Sequence, residues 1–314
     1  MRSRETHKPV LIALILILSF TLTLVICCLL FPNSSTDNHT DIDVSAFLPE
    51  IAIPDTNEQN KLNRIDFQPI INEWVNKTGG RRSVLIYDLD REEIVGAYNE
   101  NDEYNTASLY KLFVVYEGYR RVQEGSWNGD EPAGSTGYSV SECLKLAISR
   151  SHSECAETLW KRIGKKSLDK IIVEDYGITD SDISSLVSNP SDIMQIMKLF
   201  YEHPEIKDEK LVDSMKDSFL NQPVTEYDWR QGLPSGFSVA KVYNKVGWNY
   251  IPDERYWDIY HDAAIVEFPE NVSDNGEASP ARHFIVVVMT SRVPFQKIRD
   301  LGRTIESAVL ENNK

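Results

Sequence analysis

Ser108 and Lys111 stand three residues apart in Thr106-Ala107-Ser108-Leu109-Tyr110-Lys111, where a helical pattern begins. On a helix that spacing puts both side chains on one face. A serine hydroxyl is a weak nucleophile until a base takes its proton, and a buried lysine with a desolvated ammonium can be that base. A helix N-terminus also favours the negative charge that develops during attack. The alternative is a capping serine beside a surface lysine, and the pair alone does not decide between them. Two further segments carry hydroxyls and amines of the same kind. One is Ser149-Arg150-Ser151-His152-Ser153, between two helical runs. The other is Tyr243-Asn244-Lys245-Val246-Gly247-Trp248, at the end of a strand-like run.

In this order, the three segments resemble the S-x-x-K, S-D-N and K-T-G motifs of the serine β-lactamase and penicillin-binding superfamily, its class A enzymes in particular. The flanks extend the resemblance to roughly Leu62 through Leu310. Ser83–Tyr98 is similar to the family's opening hairpin. Asn189-Pro190-Ser191-Asp192-Ile193-Met194 is similar to the start of the helix after its omega loop, and Trp229-Arg230-Gln231-Gly232-Leu233-Pro234 to the turn before its third motif. The resemblance implies an acyl-enzyme hydrolase with Ser108, Lys111, Ser151 and Lys245 as catalytic residues. Ser108 attacks a carbonyl, Lys111 takes its proton, Ser151 relays a proton to the leaving nitrogen, and Lys245 supplies positive potential. Ser153, Val246, Gly247 and Trp248 fall at substrate-binding positions, with the amides of Ser108 and Trp248 as the implied oxyanion hole.

The chain departs from the family pattern at three places. Ser153 replaces the Asn of S-D-N and loses a carbonyl acceptor. Val246 replaces the Thr of K-T-G and cannot hydrogen-bond a substrate carboxylate. The stretch from Val173 to Asn189 offers Glu174, Asp175, Asp180 and Asp182, none in the E-x-x-L-N setting of the class A deacylation base. Those departures keep two other functions open beside β-lactam or related amide hydrolysis: a D-alanyl-D-alanine-type peptidase, and a catalytically weak cell-wall-binding protein. The expected substrate is a small molecule or a peptidoglycan-derived peptide.

Elements able to position such residues emerge from the periodicities. Phe67, Ile70, Ile71 and Trp74 recur at helical spacing. Ser83–Tyr87 and Ile94–Tyr98 read as a hairpin, and a mainly helical pattern runs from about Ser108 to Ser218. Three strand-like runs come next, Val239–Lys245, Ala263–Phe268 and Phe284–Thr290, and then a helix over Phe295–Leu310. Strands near both ends with helices between them predict an α+β fold in two lobes. One antiparallel sheet, built from both chain ends and covered by the terminal helices, carries an inserted all-helical lobe. The site belongs in the cleft between sheet and lobe.

The first residues predict a separate object. Val10 to Phe31 is almost wholly apolar and is preceded by Arg2, Arg4 and Lys8. It is long enough to cross a bilayer, and the charge bias places the chain beyond Phe31 outside the cell. The expected organisation is a cytoplasmic tail at 1–8, a single-pass transmembrane anchor at 9–31, a flexible stalk at 32–62 and an extracytoplasmic hydrolase domain at 63–314. A net charge of -15 argues against nucleic acid as a partner. The histidines and cysteines have no metal-ligand spacing, so no metal or other cofactor is expected. Cys143 and Cys155 flank the second motif, where either a disulfide or two buried thiols would fit. His152 reads as structural. His261 and Asp262, adjacent on an extended chain, point to opposite faces and are not expected to form a relay.

Overall fold

The computed structural model describes residues 63–220, 230–250, 257–272 and 278–312, which lie within one compact unit, Thr56–Lys314. The expected tail, anchor and stalk lie outside the described residues. Among the described residues no helix is long and apolar enough to cross a membrane.

The chain begins with helix α1 (Gln68–Lys77) and a hairpin of β1 (Arg81–Asp88) and β2 (Glu93–Tyr98). A short strand β3 (Tyr104–Asn105) leads through a 3-10 turn at Ala107–Leu109 into α2 (Tyr110–Gln123). Helices α3 (Val140–Ser149), α4 (Ser153–Ile163) and α5 (Lys165–Glu174) come next, then the short strand β4 (Val187–Ser188), α6 (Pro190–Glu202) and α7 (Glu209–Leu220). The chain returns through β5 (Lys241–Tyr250), β6 (Trp257–Phe268), the small ribbon β7 (Asn271–Val272) and β8 (Ala278–Ser279), β9 (Arg282–Ser291) and α8 (Phe295–Asn312).

The fold is α+β. Strands from both ends join one five-stranded sheet in the order β2-β1-β9-β6-β5, antiparallel throughout. Side-chain alternation along β9 explains how the sheet is covered. Phe284, Val286 and Val288 enter one core with Ile71 of α1 and with Ile298, Leu301 and Ile305 of α8. Ile285, Val287 and Met289 enter a second core with the inserted helices, including Leu112, Phe113 and Tyr116 of α2. A strand buried on both faces needs an unbroken apolar run, as Phe284–Met289 provides.

Two strands exceed their apolar runs. Strand β5 continues past Lys245 to Tyr250, and β6 begins at Trp257, ahead of His261 and Asp262. Both of these residues are fully buried. They remain in the ladder because each finds hydrogen-bond partners, which removes the cost of burying a polar group.

Local signals set the helix starts around the second motif. Ser139 and Glu142 form a reciprocal capping box on α3. His152 Nδ1 accepts from the Cys155 amide at 3.2 Å and caps α4. Asn189 Oδ1 accepts from the Asp192 amide at 2.9 Å and caps α6, with Pro190 opening the helix. Cys143 and Cys155 are joined in a disulfide, their Cα atoms 4.9 Å apart, which ties α3 to α4 on either side of Ser151.

Candidate active site

Ser108 sits in the middle of the 3-10 turn before α2, and Lys111 lies in the first turn of that helix. Three contacts fix the turn. The Thr106 amide donates to the Leu186 carbonyl at 2.8 Å. The Ala107 amide donates to Asn105 Oδ1 at 2.9 Å. His261 Nε2 donates to the Asn105 carbonyl at 2.8 Å, while its Nδ1 accepts from the Thr290 amide at 3.0 Å. These partners define the histidine tautomer, and burial holds its pKa down at about 4, so the ring stays a neutral strut. Ala107 takes a φ of 44° and Ser151 a φ of 51°. Left-handed backbone at non-glycine residues costs on the order of 1–3 kcal/mol each, so the surroundings must over-determine both positions.

Lys111 Nζ is the centre of the cluster. It lies 3.1 Å from Ser108 Oγ, 3.1 Å from Ser151 Oγ, 2.6 Å from the Ser151 carbonyl oxygen and 3.3 Å from Ser153 Oγ. Lys245 Nζ approaches Ser151 Oγ at 3.0 Å from β5 and donates to the Val246 carbonyl at 2.7 Å. Ser151 Oγ therefore lies between two lysines. Both are about 1% exposed. Desolvation brings the pKa of Lys111 down to about 8, against an opposing pull from the Glu157 carboxylate. Burial, reinforced by the charge of Lys111, holds Lys245 far below the usual lysine range, and Asp262 opposes that shift. An amine of this kind can take a proton from a neighbouring hydroxyl near neutral pH.

The sheet supports the cluster from behind. On β5, Tyr243, Lys245 and Gly247 face the helical lobe. Asn244 and Val246 turn to the opposite face, where Asn244 Nδ2 donates to Asp262 Oδ1 at 2.9 Å. Asp262 Oδ2 accepts from the Leu233 amide at 2.8 Å. Burial raises the Asp262 pKa to about 7. His261 and Asp262 thus serve opposite faces of β6.

A model of the beta-lactamase enzyme family matches residues 66–310. The chain belongs to that family. No curated protein matches it by sequence. Its fold is similar to that of a β-lactamase from Chitinophaga pinensis DSM 2588, with a TM-score of 0.60 at 16% identity over 76% of this chain and 97% of the other. A class A β-lactamase representative from Bacteroides cellulosilyticus DSM 14838 gives 0.60 at 18% identity, over 80% and 99% of the two chains. The extended-spectrum β-lactamase TLA-1 gives 0.62 at 15% identity, over 78% and 98%.

Within this β-lactamase-family domain, Ser108, Lys111, Ser151, Ser153 and Lys245 come together in one hydrogen-bonded cluster. Gly247 lies against the turn of Ser108, where an added β-carbon would run into the Thr106 carbonyl and Leu109. The side chain of Val246 is 1% exposed and packs in the core under α8 with Leu233 and Tyr260, and Trp248 packs on the same core. Sequence reasoning missed two residues at the site. His261 braces the turn that carries Ser108, a role that its sequence neighbour Asp262 does not signal. Glu157 lies one helical turn beyond Ser153 on α4, and that spacing is the signal that could have found it.

Proposed function

We propose that this chain is a serine hydrolase that cleaves β-lactams or related amides through an acyl-enzyme on Ser108. The observation that carries this reading is the position of Lys111 Nζ, buried and 3.1 Å from both Ser108 Oγ and Ser151 Oγ. In the proposed sequence Lys111 takes the Ser108 proton as Oγ attacks the substrate carbonyl. The developing oxyanion is held by the amides of Ser108 and Trp248. Ser151, polarised by Lys245, passes a proton to the departing nitrogen. Ser153 steadies Lys111 or bonds the substrate, and Gly247 lets β5 approach the nucleophile turn. The proposed placement is extracytoplasmic, with residues 9–31 as a membrane anchor. That would bring peptidoglycan-derived substrates within reach.

A second reading, a D-alanyl-D-alanine-type peptidase with slow β-lactam turnover, is favoured by Val246. Its side chain supplies no hydroxyl for a substrate carboxylate and faces away from Lys245. A fluorescent penicillin separates the two. Rapid labelling followed by release supports the β-lactamase reading, and a stable label supports the peptidase. Ser108→Ala should abolish labelling. The acyl-enzyme proposal fails if wild type takes no label from penicillins or from simple activated esters.

A further inference from the structure

An acyl group on Ser108 leaves only when an attacking water loses a proton, so the hydrolytic step needs a base. The acids between Val173 and Asn189 are engaged elsewhere. Glu174 pairs with Lys170 at 3.6 Å, and Asp175 lies 3.7 Å from Arg120. Asp180 Oδ1 accepts from Thr179 at 3.4 Å. Asp182 caps the turn at Ser184 and Ser185, accepting from both hydroxyls at 2.7 Å. The segment reaches the nucleophile turn through a backbone atom, the Leu186 carbonyl that accepts from Thr106.

Glu157 is placed differently. Ser153 and Glu157 are i and i+4 on α4 and share a face, and Ser153 Oγ is 3.3 Å from Lys111 Nζ. Glu157 Oε1 accepts from Tyr110 Oη at 3.3 Å, and Tyr110 directly precedes Lys111. Glu157 Oε2 pairs with Lys165 at 3.2 Å, and the Glu157 side chain is 36% exposed. The carboxylate is thus held by two partners beside the cluster and still open to water. Among the described residues it is also the acid whose charge acts on Lys111.

We propose that Glu157 is the base of the hydrolytic step, drawing a proton from the water that attacks the acyl carbon on Ser108. This rests on the acyl-enzyme reading above. The water oxygen bonds to the acyl carbon while its proton passes to Glu157. The tetrahedral intermediate then collapses and the bond from carbon to Ser108 Oγ breaks. Lys111 conveys the proton to Oγ, leaving a free acid and a regenerated serine. Water is the only co-reactant.

The test is pre-steady-state kinetics of wild type, Glu157→Gln and Glu157→Asp with a reporter penicillin, reading acylation and release separately and the acyl adduct by intact mass. Thermal melting checks that the variants stay folded. Glu157→Gln should still acylate, and below about pH 8 no more slowly than wild type, because Lys111 loses the carboxylate that opposes its pKa drop, but it should release its acyl group a hundredfold or more slowly, the scale of general-base catalysis. Glu157→Asp should recover part of the release rate. Unchanged release in Glu157→Gln, or an equal fall in acylation and release, overturns the proposal. So does a wild-type acyl-enzyme that never hydrolyses, although the acyl-enzyme reading then survives. If penicillin fails to label, p-nitrophenyl acetate supplies the acyl group for the same comparison. Failure of wild type to form any acyl-enzyme removes both proposals together.

Discussion

A β-carbon added at Gly247 would lie 2.7 Å from the carbonyl oxygen of Thr106. Strand β5 and the turn of the proposed nucleophile are therefore in backbone contact, with no room for a side chain between them. That carbonyl already accepts from the Leu109 amide at 2.9 Å, so it cannot swing aside without opening the turn. Gly247→Ala should push β5 and the turn apart. We expect a loss of about 1–3 kcal/mol in urea unfolding, the usual cost of overpacking. Acylation by a reporter penicillin should fall by about tenfold or more, because small displacements of reacting groups are expensive. A variant as stable and as reactive as wild type would show that the glycine does not set this spacing.

Acylation should depend on pH through Lys111. Only the neutral amine can take the Ser108 proton, and burial brings its pKa down to about 8. Below that value the neutral fraction falls about tenfold per pH unit, so the acylation rate constant should rise with pH and level off above about 8. Lys245 shares Ser151 with Lys111, and burial holds its pKa below the usual lysine range as well. The measurement is the second-order acylation rate constant from pH 5 to about 10 under conditions where melting shows the protein folded. A flat profile would remove Lys111 as the base.

The Cys143–Cys155 disulfide brackets the Ser151 loop and joins the helices on either side of it. A loop of this size is restrained in the unfolded chain by about 3 kcal/mol in the chain-entropy model. The Cys143→Ser, Cys155→Ser variant should lose stability on that scale in urea unfolding. It should also acylate more slowly, because Ser151 and Ser153 lose a constraint beside Lys111. Full activity with reduced stability would confine the disulfide to a folding role.

The sequence made the architecture legible wherever periodicity was clear. Strands β1, β2 and β9 show directly as short apolar runs, and helix α8 shows as a 3.6-residue apolar pattern. Strand β6 was legible only from Ala263 onward, because His261 and Asp262 look like loop residues until their buried partners are known. The cluster of Ser108, Lys111, Ser151 and Lys245 was legible from motif order, but its support was not. The contact of His261 with Asn105 spans widely separated strands, and neither residue announces it locally. Glu157 was obscured because the family pattern directs the search for an acid to 173–189. The facing of Val246 was hidden by the motif, which names a residue type and not the side of the strand.

Val246 allows the sharpest test of how the third motif operates. If its side chain addressed a substrate carboxylate, Val246→Thr would add a hydrogen bond to a charged group, worth roughly 1.5–3 kcal/mol. At about 1.4 kcal/mol per decade, acylation by a carboxylate-bearing penicillin would then rise on the order of tenfold or more. The observed packing argues for the opposite outcome. Val246 is 1% exposed, among Leu233, Tyr260 and the apolar residues beneath α8. A threonine hydroxyl there enters apolar surroundings, and an unpaired buried hydroxyl costs about 1–3 kcal/mol. We therefore expect Val246→Thr to lose stability on that scale in urea unfolding, with acylation within about twofold of wild type. Acylation should be measured with one reporter penicillin at a temperature well below both melting transitions, so that the stability loss does not masquerade as a rate effect. A tenfold gain in acylation without loss of stability would mean that the side chain turns to the substrate when one binds. The carboxylate position implied by the family resemblance would then belong to residue 246 after all.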